Sequence, residues 1–190
     1  MVIKKDALMQ SGFACGTGFF TENTGAVIEV IMAEHFFIER GHCESDASYK
    51  QIIPYAVIRR GGEYLLFKRL GAQGESRLHG LLSVGAGGHI VSGDEEPGYD
   101  IILNGLFREL NEEVSINYSE TPTFLGLLND ESNEVGSVHL GLVYAVDADD
   151  ARFNINEPEK MDGRWASADE LKSMTGAMET WSRMLMERLI

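Results

Sequence analysis

Between Pro97 and Val114 the apolar residues Ile102, Leu103, Leu106, Leu110 and Val114 recur at three- and four-residue steps, the period of a helix that buries one side. The other side of the same stretch carries Glu109, Glu112 and Glu113, at i, i+3 and i+4. Carboxylates at those separations project together from a helix and repel one another. The chain must therefore fold so that the apolar stripe meets a core while the acidic side faces outward. Pro97 suits the first turn, where its missing N–H costs nothing. Hard oxygen ligands gathered in this way suit magnesium or manganese, and a bound cation would cancel the repulsion. A solvated acidic face has the same pattern, so the neighbours decide. Gly87-Gly88 follow an apolar strand shortly before the helix, Arg108 directly precedes the first glutamate, and acids recur at Glu157 and Glu159. Close approach of backbone to a ligand is a common reason for paired glycines.

The segments around this helix read as strands. Ile52–Arg59 and Glu63–Arg69 flank Arg60-Gly61-Gly62, a hairpin turn. Pro54 places the start of the first of these at a sheet edge or among the strand's first residues. Gly71–Gly80 is a polar loop holding Arg77 and His79, and Leu81–Ala86 is a short apolar strand. Thr123–Leu128 and Val138–Val146 are further strands joined by the polar loop Asn129–Gly136, and Arg164–Ser167 is another. Ala168–Met174 and Ala177–Leu189 close the chain as helices, the last with Met178, Trp181, Leu185 and Leu189 on its apolar face. Before residue 50 the signal is weak, and Thr24–Phe37 reads equally as a short helix or an irregular strand pair. Hairpins interspersed with helices, rather than regular alternation, predict an α+β fold of the α/β class, with a mixed β-sheet sandwiched between helices. We expect an N-terminal extension over residues 1–50 packed on a domain over residues 51–190.

Charge and composition narrow the function. A net charge of −14 over 190 residues opposes sequence-independent binding to nucleic acid, which depends on cationic contacts to phosphate. It leaves room for a small phosphorylated substrate held through divalent cations. No stretch approaches the ~20 apolar residues of a membrane span, and no signal-peptide core follows Lys4 and Lys5. The expectation is a cytoplasmic protein with no membrane partner. Cys15 and Cys43 match no metal or redox spacing and are expected as free, partly buried thiols. Arg59, Lys68, Arg69 and Arg77 gather around the hairpin and its loop against the acidic trend, where Arg59, Arg69 and Arg77 could bind terminal phosphates as readily as serve as surface charge. His89 and His139 read as a hydrogen-bonded residue and a core residue, with no zinc spacing.

From Gly88 to Ile116 the sequence resembles the Nudix box of the MutT-like hydrolases, G-x5-E-x7-R-E-U-x-E-E-x-G-U, with U aliphatic. Arg108-Glu109-Leu110-Asn111-Glu112-Glu113-Val114-Ser115-Ile116 matches its second half, with Ser115 in place of the glycine. The first half departs: the acidic position counted from Gly88 is Asp94, and 13 residues rather than seven separate it from Arg108. Asp100 has the family spacing to Arg108 but no matching glycine, so the identity of this acid stays open between the two. The resemblance extends over about residues 52–175, through Arg164-Trp165-Ala166-Ser167-Ala168-Asp169-Glu170-Leu171. Gln51-Ile52-Ile53-Pro54-Tyr55, Glu75-Ser76-Arg77-Leu78-His79-Gly80 and Gly87-Gly88-His89-Ile90 further look like a bacterial and archaeal subgroup of predicted phosphoesterases.

The resemblance implies a Nudix fold and a hydrolase of a phosphate anhydride or phosphoester, acting on a small nucleotide-like substrate such as a nucleoside diphosphate linked to another moiety. It implies Mg2+, with Mn2+ as an alternative, held by Glu109, Glu112, Glu113 and the carbonyl of Gly87, with Glu112 also catalytic. Arg108 would support the box carboxylates through pairing, and Asp94, or Asp100 in its stead, would stand for the first box glutamate. A general base is implied at a later glutamate: Glu159 has the MutT-type spacing to Trp165, and Glu131 and Glu134 are rivals. Isopentenyl diphosphate isomerases share the fold but need a catalytic cysteine and placed histidines, and non-catalytic metabolite-binding relatives typically lose box glutamates. A homodimer through the Met-rich C-terminal helices is compatible with the family.

Overall fold

A computed structural model describes residues 1–70 and 80–189. In chain order the elements begin with β1 (Val2–Lys4), α1 (Lys5–Gln10), β2 (Gly18–Phe20), α2 (Thr24–Glu34), α3 (Arg40–Cys43) and β3 (Tyr49–Arg60). They continue with β4 (Glu63–Arg69), β5 (Leu82–Ser83), β6 (Ala86–Gly87), α4 (Ile101–Glu113), β7 (Val114–Ile116) and β8 (Thr123–Asn129). The last are α5 (Glu134–Ser137), β9 (His139–Asp147), β10 (Phe153–Ile155), β11 (Met161–Ser167), α6 (Ala168–Ser173) and α7 (Thr180–Leu189). The strand order is β11-β4-β3-β9-β8-β2, with β1 and β6 also paired to β3, β5 to β4, and β10 with β7 apart. This is the expected mixed sheet flanked by helices. No helix among the described residues is long and apolar enough to cross a membrane.

Backbone contacts divide the chain into two units. The first comprises Met1–Pro54, Gly88–Leu106 and Leu125–Val143. Here β1 runs antiparallel to β3, with Val2 opposite Gln51, and β2 runs antiparallel to β8, with Gly18 opposite Asn129. Residues 1–50 thus contribute strands to the sheet. Its interior is built on Ile3, Leu8, Ile31, Ile52, Ile90, Ile102 and Leu128, all buried. The ambiguous stretch Thr24–Phe37 is helical as far as Glu34, with Val27 and Ile31 buried.

The second unit comprises Tyr55–Gly87, Phe107–Phe124 and Tyr144–Ile190. β4 pairs with β11 over seven residues, from Met161 opposite Arg69 to Ser167 opposite Glu63, which makes β11 longer than the expected Arg164–Ser167. The β3–β4 hairpin turns through Gly61 (φ 56°) and Gly62 (φ 86°). Two successive positive φ values define the turn whose twist matches the flanking strands, and glycine reaches them without a Cβ clash. Leu65, Phe67, Val84, Leu110, Val114, Leu171 and Leu185 form the core.

Three local expectations change. Pro54 is neither at an edge nor at a strand start; it is the sixth of twelve residues in β3. Ile52 sends its N–H to Met1 O, so alternation directs the Pro54 nitrogen to the same side. There the partner changes from β1, opposite Tyr49–Gln51, to β6, opposite Tyr55 and Ala56. The missing donor falls in that gap. Helix α4 begins at Ile101, not Pro97, because Asp100 Oδ1 accepts the N–H groups of Ile102 (2.8 Å) and Leu103 (3.4 Å) and so sets the N-cap. Finally, Ser115 needs no glycine-like conformation. The chain passes from α4 directly into β7, where Ser115 lies opposite Asn154 and donates to Asn156 Oδ1 at 2.8 Å.

Candidate active site

The three box glutamates end α4 in the second unit, but they are not equally open. The side chain of Glu112 is 56% exposed and that of Glu109 16%. Glu113 is buried, next to Val114 at the bottom of the helix. Arg108 Nη1 donates to Glu109 Oε1 at 2.8 Å and to Glu112 Oε1 at 3.0 Å. One nitrogen of Arg108 thus bridges two carboxylates.

Glu113 is the electrostatic centre of the arrangement. Burial pushes its carboxyl up to about 7, and the charges of Glu109 and Glu157 act in the same direction. The Arg69 guanidinium and the backbone N–H of Gly87 oppose the shift. Among the described residues its buried Oε2 has no hydrogen-bond partner. Buried polar atoms are nearly always satisfied, so an orphaned carboxylate oxygen calls for an absent partner.

The remaining expected residues belong partly to the first unit and partly to the second. Arg59 is engaged by Asp147, with Nε–Oδ1 2.7 Å and Nη2–Oδ2 3.1 Å, both side chains exposed. Arg69 acts on Glu113. Arg77, with His79, lies outside the described residues. Asp94 belongs to the first unit, where its buried Oδ2 accepts the Val91 N–H at 2.9 Å and its carbonyl accepts from Asn104 Nδ2 at 3.0 Å. Glu131 also lies in the first unit, between Lys5 and Lys50, each 2.6 Å from a carboxylate oxygen. His139 Nε2 in that unit lies 3.2 Å from both His89 Nε2 and Gln51 Nε2, and its Nδ1 meets Val135 O at 2.6 Å. Glu159 is exposed on the turn that Lys160 N–H and Met161 N–H close onto Glu157 O. Glu157, ion-paired with Lys160, is the later acid whose charge acts on Glu113, a role sequence reasoning did not assign.

Among the described residues no group of three or more His, Cys, Asp or Glu is preassembled around a cation position. The donor chemistry nonetheless fits a hard divalent ion: carboxylate oxygens clustered on one helix end, one of them buried and unsatisfied, and no sulfur or imidazole beside them.

Known proteins resemble this chain in sequence and in fold. Protein YmaB of Bacillus subtilis (strain 168) is 34% identical over 197 residues, covering 100% of this chain and 96% of YmaB. The crystal structure of Tm1382, described as a Nudix hydrolase, matches with a TM-score of 0.84 and 33% identity over 99% of this chain and 96% of its own. A MutT Nudix hydrolase from Burkholderia pseudomallei shares the fold at a TM-score of 0.56 and 22% identity, over 74% of this chain and 98% of that one. No protein-family model matches the sequence. A whole-chain match in sequence and fold to such a relative, together with the acidic helix end of this chain, defines a Nudix-type hydrolase. The chain belongs to the Nudix hydrolase family. Members of this family generally use divalent metals.

Proposed function

We propose that the protein is a Mg2+-dependent hydrolase, also served by Mn2+, of a phosphate anhydride or phosphoester in a small nucleotide-like molecule. A nucleoside diphosphate linked to another moiety is the substrate class that fits best. The observation that carries this reading is Glu113: a buried carboxylate with an unsatisfied oxygen, among Glu109, Glu157 and Arg69. Glu109, Glu112 and Glu113 would hold the ion, Glu112 turning from Arg108 to do so. The ion would supply charge neutralisation at phosphate oxygens and a more acidic bound water. Arg108 keeps Glu109 and Glu112 on one side of the helix, and Arg69 places a cation beside Glu113 that also suits a substrate phosphate. For the base we favour Glu159. It is exposed, whereas Glu157 is paired with Lys160 and Glu131 is locked between two lysines. Cys15 and Cys43 are both buried, which lends no support to a cysteine-dependent isomerase.

The test is a hydrolysis screen with Mg2+ across nucleoside triphosphates, sugar nucleotides, dinucleoside polyphosphates, coenzymes and phosphomonoesters. Product that vanishes with EDTA, returns with Mg2+ and is lost in Glu112→Gln supports the reading and names the substrate. Bound Mg2+ without product from any of them overturns it.

A further inference from the structure

Tyr55 sits among apolar neighbours in β3, yet its buried hydroxyl ends in a knot of polar groups within the second unit. It lies 2.9 Å from Ser83 Oγ and 3.3 Å from Ser182 Oγ, and donates to Glu179 Oε1 at 3.1 Å. Ser83 Oγ donates to Gly85 O at 2.7 Å and accepts the Gly85 N–H at 3.3 Å. Ser182 Oγ accepts the Val84 N–H at 2.9 Å and donates to Glu179. Glu179 in turn accepts the N–H groups of Trp181 (2.8 Å) and Ser182 (2.9 Å), capping α7. The serine hydroxyls are thereby tied to the backbone of Ser83–Gly85, the short link between β5 and β6. The acid at the centre is the cap of the last helix.

The link is also pressed onto the tyrosine ring. A Cβ on Gly85 would stand 2.0 Å from Tyr55 Cε1, so glycine alone lets the backbone approach so closely. Two residues further, Gly87 lies opposite Tyr55 in the ladder, and its backbone amide works to hold the Glu113 carboxyl down. Phenylalanine would fill this core equally well, and burying a hydroxyl with its partners gains little net stability. What a satisfied buried network does supply is a single fixed geometry.

We propose that Tyr55, Ser83, Ser182 and Glu179 are positioning residues for the hydrolytic site. They hold the Ser83–Gly87 backbone at the height where the Gly87 N–H orients the Glu113 carboxylate toward its cation. This inference rests on the metal-dependent reading of the box glutamates. Tyr55→Phe, which keeps the ring and its contact with Gly85, is the primary test, and Ser182→Ala the second should the first fail to fold. In the metal-free protein, Gly87 amide exchange should quicken about 10-fold; Mn2+ affinity should weaken and kcat fall by about 10-fold, with KM unchanged. A lower melting temperature with wild-type Gly87 exchange and wild-type Mn2+ affinity reduces the knot to a structural role and overturns the proposal. Wild-type protein that binds no Mn2+ overturns the hydrolase reading and this inference together, whereas equal binding in wild type and variant overturns this inference alone.

Discussion

Two carboxylates drawn away from water meet opposite treatment in this chain. Glu131 receives Lys5 Nζ and Lys50 Nζ, each at 2.6 Å, and Asn129 Nδ2 at 3.1 Å. Burial pushes its carboxyl up, but those hydrogen bonds outweigh it and hold the group below its ordinary value. Lys50 is wholly buried and among the described residues its charge meets Glu131, which is itself shared with Lys5. Among the described residues Glu113 makes no ion pair within 4 Å and keeps an oxygen without a hydrogen-bond partner, with Arg69 acting on it through its charge, and burial carries it up to about 7. A fold that can satisfy one carboxylate so fully has no physical need to strand another. On the proposed reading, Glu131 belongs to the architecture and Glu113 is completed by a cation from solution.

The sharpest way to break this contrast is to neutralise each member. Glu113→Gln should lower metal-dependent turnover by roughly 10²–10³-fold, the scale on which losing one preorganised electrostatic group acts. Its metal-free melting temperature should stay level or rise, because an unsatisfied charge has been removed. Glu131→Ala should do the reverse. Breaking a buried pair costs about 3–5 kcal/mol, and each kcal/mol lowers Tm by about 2–4 °C in a chain of this size. Turnover per folded molecule should remain within about twofold. Melting curves with and without Mg2+, beside steady-state rates, check both. A folded Glu131→Ala protein with little turnover would make Glu131 the base and dissolve the contrast.

A smaller effect sharpens the position of the base. Glu159→Gln should lower kcat by about 10²-fold, at the low end for general base catalysis, with Mn2+ affinity unchanged. Glu157→Gln, by removing a charge that acts on Glu113, should shift Mn2+ affinity more than kcat. An exchange of these two outcomes would move the base by two residues.

The sequence made part of this legible. β4 has its expected limits, Glu63–Arg69, because Gly61-Gly62 dictates where the hairpin must turn. The i, i+3, i+4 glutamates were readable because helix periodicity is local, and Arg108 bridges two of them as its position suggested. The helix start was misplaced because two local signals compete, Pro97 and Asp100, and the cap hydrogen bonds prevailed. What could not be read was long-range. Glu131 meets a lysine 126 residues away, and no periodicity announces that. The burial of Glu113 depends on what packs over the end of α4, not on the helix pattern, which placed all three glutamates on one open face. The knot around Tyr55 joins residues up to 127 positions apart. A tyrosine inside an apolar strand was its one sequence trace, since a buried phenol requires a partner.

The smallest effect is a difference in acid sensitivity. Because the folded value of Glu131 lies below its unfolded value of about 4.3, the unfolded chain binds more protons between the two. The stability this group contributes is therefore complete above the unfolded value and is lost as pH falls through the folded one. Metal-free wild type should show no loss from this source between about pH 7 and pH 5, then fall more steeply below about pH 4. Glu131→Gln begins less stable, and its acid limb should be shallower, because the titrating partner of Lys50 is gone. Denaturant midpoints measured in EDTA from pH 3 to 7 compare the two slopes. Parallel limbs would mean that the lysine clamp does not stabilise the ionised carboxylate, and Glu131 would then lose the property that sets it against Glu113.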